Sequence, residues 1–473
     1  MSDITLSRMC EIVRGQLRLG SMPPRDGADS VLGPIVTNTR NLQPGDVFWA
    51  IQDAPHHGDD FAEEAFVKGA SGVVVGPRRI EPWAGGFAIN VVDTRLALWE
   101  LARWNRERFA GTAIAVAGRV GKTTTVEMIH KVLAPRLHAT SCPHDGEDAI
   151  DVPLNLVRTA PTDDYAVLEI ASPDLARMKS IAQLSRPEIA VFTSLGDHPW
   201  DETEPSPFAK PSLFKFCETL PSDGKVLLNG DDPELRRWAG KLGERAVLFG
   251  RGADCHVTAA EVSARQGRVQ FRIEGCPFEL PVWGRHHLTA AVAAIAVGKL
   301  FDLPLEEMAR SLRDFQPLEA HCQLMQLNGV TVIDDTCGSS TLAVRAALDL
   351  LAEYESPGRK FVVVGDPVDP AADSSNIGQR LGRQVVDRCG VHRLVACGRH
   401  APRIVESAHR AGMPTEKAVA FAEPFEAGSY LREKLHPGDV ILITGSPTIP
   451  MTQIVDQLRS KAEVPMRALA AVA

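Results

Sequence analysis

Residues 118–125, GRVGKTTT, carry the sharpest chemical signal in the chain. Gly118 and Gly121 let a backbone wrap a phosphate chain, and a helix opening at Lys122 turns its first amides toward the anion. Lys122 would set positive charge against β- and γ-phosphates, and the Thr123 hydroxyl would ligate Mg²⁺. Gly118, Gly121, Lys122, Thr123 and Thr124 are therefore the candidate nucleotide-binding residues. The full G-x4-G-K-[S/T] pattern fails only at its first glycine, where Val116 stands. A glycine turn with a solvated lysine is the plain alternative. The apolar strand before the loop and the helix after it favour phosphate.

Triphosphate chemistry needs a divalent ion, and Mg²⁺ takes oxygen ligands with a few waters. Glu169 lies near the end of the strand YAVLEI, at the carboxyl edge where ligands bind to parallel sheets. Asp197 and His198 come after the strand IAVFTS at the same edge. Either alone fits a surface polar residue; with the loop, all converge on one crevice. Lys210, in PFAKPSLF, reads by itself as an exposed lysine at a helix start. Cys142 and Cys337 lack a His/Asn or His/Asp context, so incidental or buried cysteine is the better reading.

The elements that must position these residues fall into three sections. The first, 1–108, mixes short strands (46–52, 71–76) with helices (61–69, 95–109). The second, 109–315, alternates strands at 112–118, 165–170, 189–194, 225–230 and 246–250 with helical stretches, the first running from Lys122 to about Leu133. That alternation predicts a parallel sheet covered on both faces. Strict alternation in RVQFRIEG predicts antiparallel hairpins attached to it between Cys255 and Val282. The third, 316–473, has five strand–helix units, with strands at 330–335, 360–366, 392–398, 418–423 and 439–445, and reads as Rossmann-like. The expected fold class is thus α/β with three domains: a small mixed α/β domain, a central phosphate-loop ATPase-like parallel sheet and a C-terminal Rossmann-like domain. The apolar run Leu288–Val297 is too short to span a membrane and predicts a buried helix.

Length and charge set the outer limits. The chain has 473 residues, enough for roughly three domains of ~150 residues. Its net charge of -9 makes it a poor match to sequence-independent nucleic-acid binding, which needs cations against phosphates. Nine scattered cysteines without a CxxC pair read as reduced and cytoplasmic, and the first twenty residues lack the apolar stretch of a signal peptide.

Taken together, these segments resemble the Mur ligase superfamily, ATP-dependent amide-bond-forming enzymes of peptidoglycan synthesis. GRVGKTTT is similar to the family's GTNGKTTT, and Glu169 to its Mg²⁺ glutamate. TSLGDHPWD (193–201) resembles TNIxxDHxD, and FAKPSLF (208–214) resembles YxxAKxxLF, whose lysine is carbamylated in the family. LLNGDDP (227–233) and WGRHHLTAAVAA (283–294) resemble LNxDDP and GxHNxxNxxAA. The stretch 37–75 resembles the substrate-binding first domain. IDDTCGSSTLAVRAAL and VVVGDPVDP point to the members that add D-alanyl-D-alanine to UDP-N-acetylmuramoyl tripeptide. The ligase that adds the third residue carries DYAHTP, which is absent.

The resemblance implies ATP and Mg²⁺ as cofactors and a two-step reaction through an acyl phosphate. Lys122 would stabilise the transferring phosphoryl; Thr123 and Glu169 would hold one Mg²⁺; His198 and a carbamylated Lys210 would hold a second. Asp335 would touch the ATP ribose. It also implies a monomer in the cytoplasm, with a UDP-N-acetylmuramoyl peptide and D-alanyl-D-alanine as partners and neither nucleic acid nor membrane insertion. The departures cluster at the nucleotide and substrate contacts. Ala320-His321 replaces a Gly-Arg pair, so His321 stands where an arginine would meet the γ-phosphate. His287 and Ala290 replace two asparagines, Thr444 a lysine, Arg119-Val120 the Thr-Asn of the loop, Asp151 a glycine, and Asn38-Thr39-Arg40 a DSR. A ligase-like binding or regulatory protein, or a ligase with another acceptor, are the alternative readings.

Overall fold

A computed structural model describes residues 4–22, 27, 30–53, 56–140, 148–170, 175–195, 215–338, 341–366, 374–445 and 449–460. The first sheet orders Gln16–Leu19, Phe87–Asn90, Gly72–Val75, Val47–Trp49 and Ile35–Val36; only the first pairing is antiparallel. The helix Thr94–Arg108 comes next, its start fixed by the Asp93 carboxylate, which accepts from the N–H groups of Arg95 and Leu96. This helix packs on Asp148–Arg158 and Leu175–Ser185, so one continuous core joins the first sheet to one face of the central sheet.

The central sheet is wholly parallel. Its order is Val257–Thr258, Ala246–Gly250, Lys225–Asn229, Ile189–Phe192, Thr112–Ala117 and Tyr165–Ile170. The chain leaves Thr112–Ala117 for the strand on one side, then crosses to Ile189–Phe192 on the other. Such a reversal opens a crevice at the carboxyl edge, and residues 118–121 lie in it. The strand Thr112–Ala117 is buried on both sides from Ala113 onward, as its unbroken small apolar run requires. The helix Lys122–Leu133 buries Thr125, Val126, Met128, Ile129, Val132 and Leu133, a helical stripe facing the sheet. The helix His287–Leu300 is buried almost all round, because it is sandwiched between Lys122–Leu133 and the sheet.

Two expectations change. The hairpins of 260–280 form a separate three-stranded sheet, since Val257–Thr258 already occupies the edge of the parallel one. The last sheet has six strands, in the order Gln323–Leu327, Val330–Asp335, Val440–Thr444, Lys360–Val364, Arg393–Cys397 and Ala418–Phe421. The added strand, Gln323–Leu327, is antiparallel to its neighbour and is joined to it through Asn328-Gly329, both at positive φ. That dipeptide is a strong hairpin signal and was legible in QLMQLNGVTV. Both faces of this sheet are covered, giving two apolar clusters. Among the described residues no helix is long and apolar enough to cross a membrane.

Candidate functional site

The loop after Thr112–Ala117 depends on two glycines in conformations other residues resist. Gly118 has φ +146°, and a Cβ there would lie 2.2 Å from Thr193 Oγ1; Gly121 has φ +76° and precedes the helix. The neighbouring strand end clasps the loop. Arg119 N–H donates to Ser194 O at 2.9 Å, and Thr193 Oγ1 donates to Val120 O at 2.6 Å. A second layer holds the clasp: Asn229 Nδ2 donates to Thr193 O (2.8 Å), and Asp232 accepts from Leu195 N–H (2.8 Å) while capping the helix Pro233–Leu242. These supports come from the LLNGDDP stretch, whose placing role no local pattern announced.

Lys122 Nζ lies 3.9 Å from Glu169 Oε1, with side chains 17% and 8% exposed. Thr123 and Thr124 sit in the first helical turn, partly exposed. Glu127, one turn beyond Thr123 on the same helix face, is a carboxylate that sequence reasoning missed. Burial, and then the charge of Glu169, raise its proton affinity above the usual carboxylate range. Three residues on, His130 contacts Tyr165 OH (3.2 Å) and is pushed down to about 4 by burial. His198 and Lys210 lie outside the described residues. Among the described residues no group of three or more His, Cys, Asp or Glu is arranged to hold a metal.

The loop opens into a cleft of about 690 Å³ between the central and last sheets. One wall carries Val120, Ser194, Asp231, Arg251, His286 and Thr289; the facing wall is the helix Thr341–Glu353, with Arg345, Asp349 and Glu353. Arg285 and Glu353 meet across it at 3.6 Å, and the Trp283 and Tyr354 rings pack at 4.8 Å. The volume suits a nucleotide-sized ligand.

Asp335 and His321 are not on that cleft lining. Asp335 is buried: Thr444 Oγ1 donates to it at 2.9 Å and Cys322 Sγ at 3.4 Å. Burial pushes its carboxyl up to about 7, against the pull of those two hydrogen bonds. His321 turns Nδ1 to Glu319 O (2.9 Å). It lies near His287, whose ring is buried without a hydrogen-bond partner; burial, then the charges of His286 and His321, keep that imidazole neutral.

Comparison with known proteins adds two family-domain matches, one relative and two solved structures. Residues 116–298 match the Mur ligase middle domain, and residues 322–447 match the Mur ligase glutamate ligase domain. The UDP-N-acetylmuramoyl-tripeptide--D-alanyl-D-alanine ligase of Escherichia coli is 26% identical over 470 residues, covering 97% of this chain and 99% of that one. A crystal structure of MurF from Acinetobacter baumannii superposes with a TM-score of 0.76 at 21% identity, over 96% of this chain and 98% of that one. The Thermotoga maritima MurF ligase in complex with ADP gives 0.70 at 19% identity, over 91% and 98%.

Proposed function

The chain belongs to the Mur ligase family, and from that premise we propose that it joins D-alanyl-D-alanine to a UDP-N-acetylmuramoyl tripeptide at the expense of ATP. The observation that carries the reading is the Lys122–Glu169 pair at 3.9 Å beside a glycine loop that opens into an interdomain cleft. Full-length similarity to a relative bearing that name supports the choice of substrates.

The chemistry stems from the weakness of a carboxylate as an acyl donor. A substrate carboxylate oxygen forms a bond to the γ-phosphorus while the bond to the β,γ-bridging oxygen breaks, and ADP leaves with the electron pair. The amine of the second substrate then attacks the acyl phosphate carbon. Inorganic phosphate departs, and the nitrogen loses a proton. Lys122 stabilises the transferring phosphoryl, and the amides at the helix start bind its oxygens; positioning and charge supply most of the rate. The buried Glu169 carboxylate, the Thr123 hydroxyl and the nearby Glu127 form an oxygen donor set that fits Mg²⁺. Thr123 and Glu169 would hold one ion, with His198 and a carbamylated Lys210 for a second. Bound there, Mg²⁺ neutralises phosphate charge. Residues 1–108 would bind the UDP-linked substrate, 109–315 ATP, and 316–473 would close over the cleft. Closure would be needed to bring Asp335 to the ribose and His321 to the γ-phosphate.

The inward-turned Asp335 favours a second reading, a ligase-like binding protein. The two separate in one experiment: ADP and phosphate formation with ATP, Mg²⁺, the tripeptide and D-alanyl-D-alanine, with each omitted in turn. The ligase reading expects turnover that needs both substrates and a UDP-linked pentapeptide by mass. Nucleotide binding without turnover across a panel of amines would overturn it.

A further inference from the structure

The last sheet gathers cations at the starting ends of its strands, away from the nucleotide cleft. Arg359 precedes the strand Lys360–Val364, Arg393 opens Arg393–Cys397, Lys417 precedes Ala418–Phe421, and Lys434 ends the helix Pro424–Lys434. That helix covers one face of the sheet, and the cleft-wall helix Thr341–Glu353 covers the other. None of these four cations lines the cleft.

Their contacts draw them together. Arg359 Nη2 donates to Lys434 O at 2.7 Å. Arg393 Nη1 donates to Glu416 O at 2.9 Å and also to Tyr430 OH. The Tyr430 ring has the Arg393 guanidinium 5.8 Å and Lys434 Nζ 5.7 Å from its centroid, so two cations share one ring. His392 sits among the others. Burial first, and then the charges of Arg359, Lys417 and Arg393, hold its imidazole below the ordinary histidine range, against the pull of Asp439.

Charge does not balance at this edge. Asp439 is the carboxylate bound into the cluster, and Arg359 takes it at 2.7 Å. The partners of Arg393 are a carbonyl, a hydroxyl and a ring, all neutral. Both hydrogen bonds use Nη1, which leaves Nε and Nη2 without a partner among the described residues. Among those residues Lys417 and Lys434 form no ion pair either, although Glu416 and Glu433 are their sequence neighbours. A solvated helix end accounts for Lys434. It does not account for Arg393, Lys417 and His392, which stand at or just before strand starts. On a chain of net charge -9, like charges gathered in one place cost free energy unless an anion meets them. A guanidinium steadied by neutral acceptors matches phosphate oxygens, and the ammonium groups beside it add point charge.

We propose that this edge is a second anion site, at which Arg393, Lys417 and Lys434 bind a phosphate-bearing ligand apart from the nucleotide cleft. The inference does not depend on the ligase reading. Free pyrophosphate and a phospholipid headgroup share the required chemistry, and the test separates these two sources.

The test uses the full chain in the K122A background, without Mg²⁺, so that the cleft lacks its main phosphate contact. Pyrophosphate binding is measured by calorimetry. Co-sedimentation is measured with vesicles of phosphatidylglycerol and, as the uncharged control, phosphatidylcholine. The expectation is that pyrophosphate binds, that its affinity falls as salt is raised, and that R393Q or K417Q/K434Q weakens it at least about tenfold. K417Q/K434Q is the variant that spares the fold, because it removes no hydrogen bond seen in the structure. R393K recovers part of the affinity, since it restores charge without the fork. Pyrophosphate binding without sedimentation assigns a free phosphate ligand. Sedimentation with phosphatidylglycerol alone, released by pyrophosphate and lost in K417Q/K434Q, assigns a headgroup. The proposal is overturned if neither probe binds, or if K417Q/K434Q and R393Q, with melting temperatures close to the parent's, leave binding within about twofold.

Discussion

At the carboxyl edge of the central sheet, Glu169 faces Lys122 across 3.9 Å beside an open loop, while at the same edge of the last sheet Asp335 is roofed over by its own domain. Both acids sit near the ends of parallel strands, where ligand crevices form. The segments flanking those strand ends make the difference. The central loop holds its glycines at positive φ and is clasped from one side by Thr193 and by Ser194, which accepts the Arg119 N–H, so its shape is held beside the start of the helix. After Asp335 the chain turns back through Gly338, where a Cβ would lie 2.1 Å from the Asp335 carboxylate, and Thr444 and Cys322 complete the enclosure. Both carboxylates are buried; Glu169 has a cation and a propped loop beside it, whereas Asp335 has only the neutral donors Thr444 and Cys322, and its burial raises its proton affinity.

Removing the cation from the open edge should have the largest effect. Lys122→Ala is expected to lower ATP-dependent product formation by at least about 10³-fold, measured as ADP release, because charge on the transferring phosphoryl loses its partner. Activity near that of the wild type would detach the phosphate loop from the chemistry.

A smaller effect is expected from distorting the loop without touching its charge. Gly118→Ala forces a Cβ against Thr193 Oγ1 and a side chain into φ +146°. It should weaken Mg²⁺-ADP binding about tenfold or more and destabilise the chain by about 1–3 kcal/mol. Calorimetry and denaturant unfolding check both, and wild-type values in each would mean that the clasp does not set the loop's shape.

The closed edge gives the smallest and most specific signal. Asp335 titrates at about 7 instead of 3.8. Between those values the native chain holds a proton that the unfolded chain has lost. This group's contribution therefore falls as pH rises through the window, by an upper bound of roughly 4 kcal/mol. Asp335→Asn should remove that slope, so its melting temperature relative to wild type climbs from pH 5 to pH 8. Parallel profiles would show that the carboxyl ionises freely and that the edge is not closed.

Part of this was legible in the residues themselves. The helix at Lys122–Leu133 and the strands at 165–170, 246–250 and 330–335 arise from local patterning, and their bounds agree with the structure. The antiparallel edge strand Gln323–Leu327 was missed because QLMQL is only partly buried and lacks a clear apolar alternation, although its Asn-Gly turn was readable. Glu127 was missed because a glutamate inside a helix is ordinary in sequence; only the packing of that helix on the strand bearing Glu169 gives it meaning.

The sequence by itself determined the glycine loop between a strand and the helix at Lys122, the alternation that makes parallel sheets and the functional groups that Lys122 and Glu169 carry, since those depend on residue type and short spacing. Tertiary structure alone decided which strand ends face the cleft. Thr193 reaches the loop from the end of a neighbouring strand, Asn229 and Asp232 hold that strand end in turn, and Asp335 is turned inward by partners 13 and 109 residues away. Strand order and the closing of a loop over a carboxylate are set by long-range packing, which no local run of residues encodes.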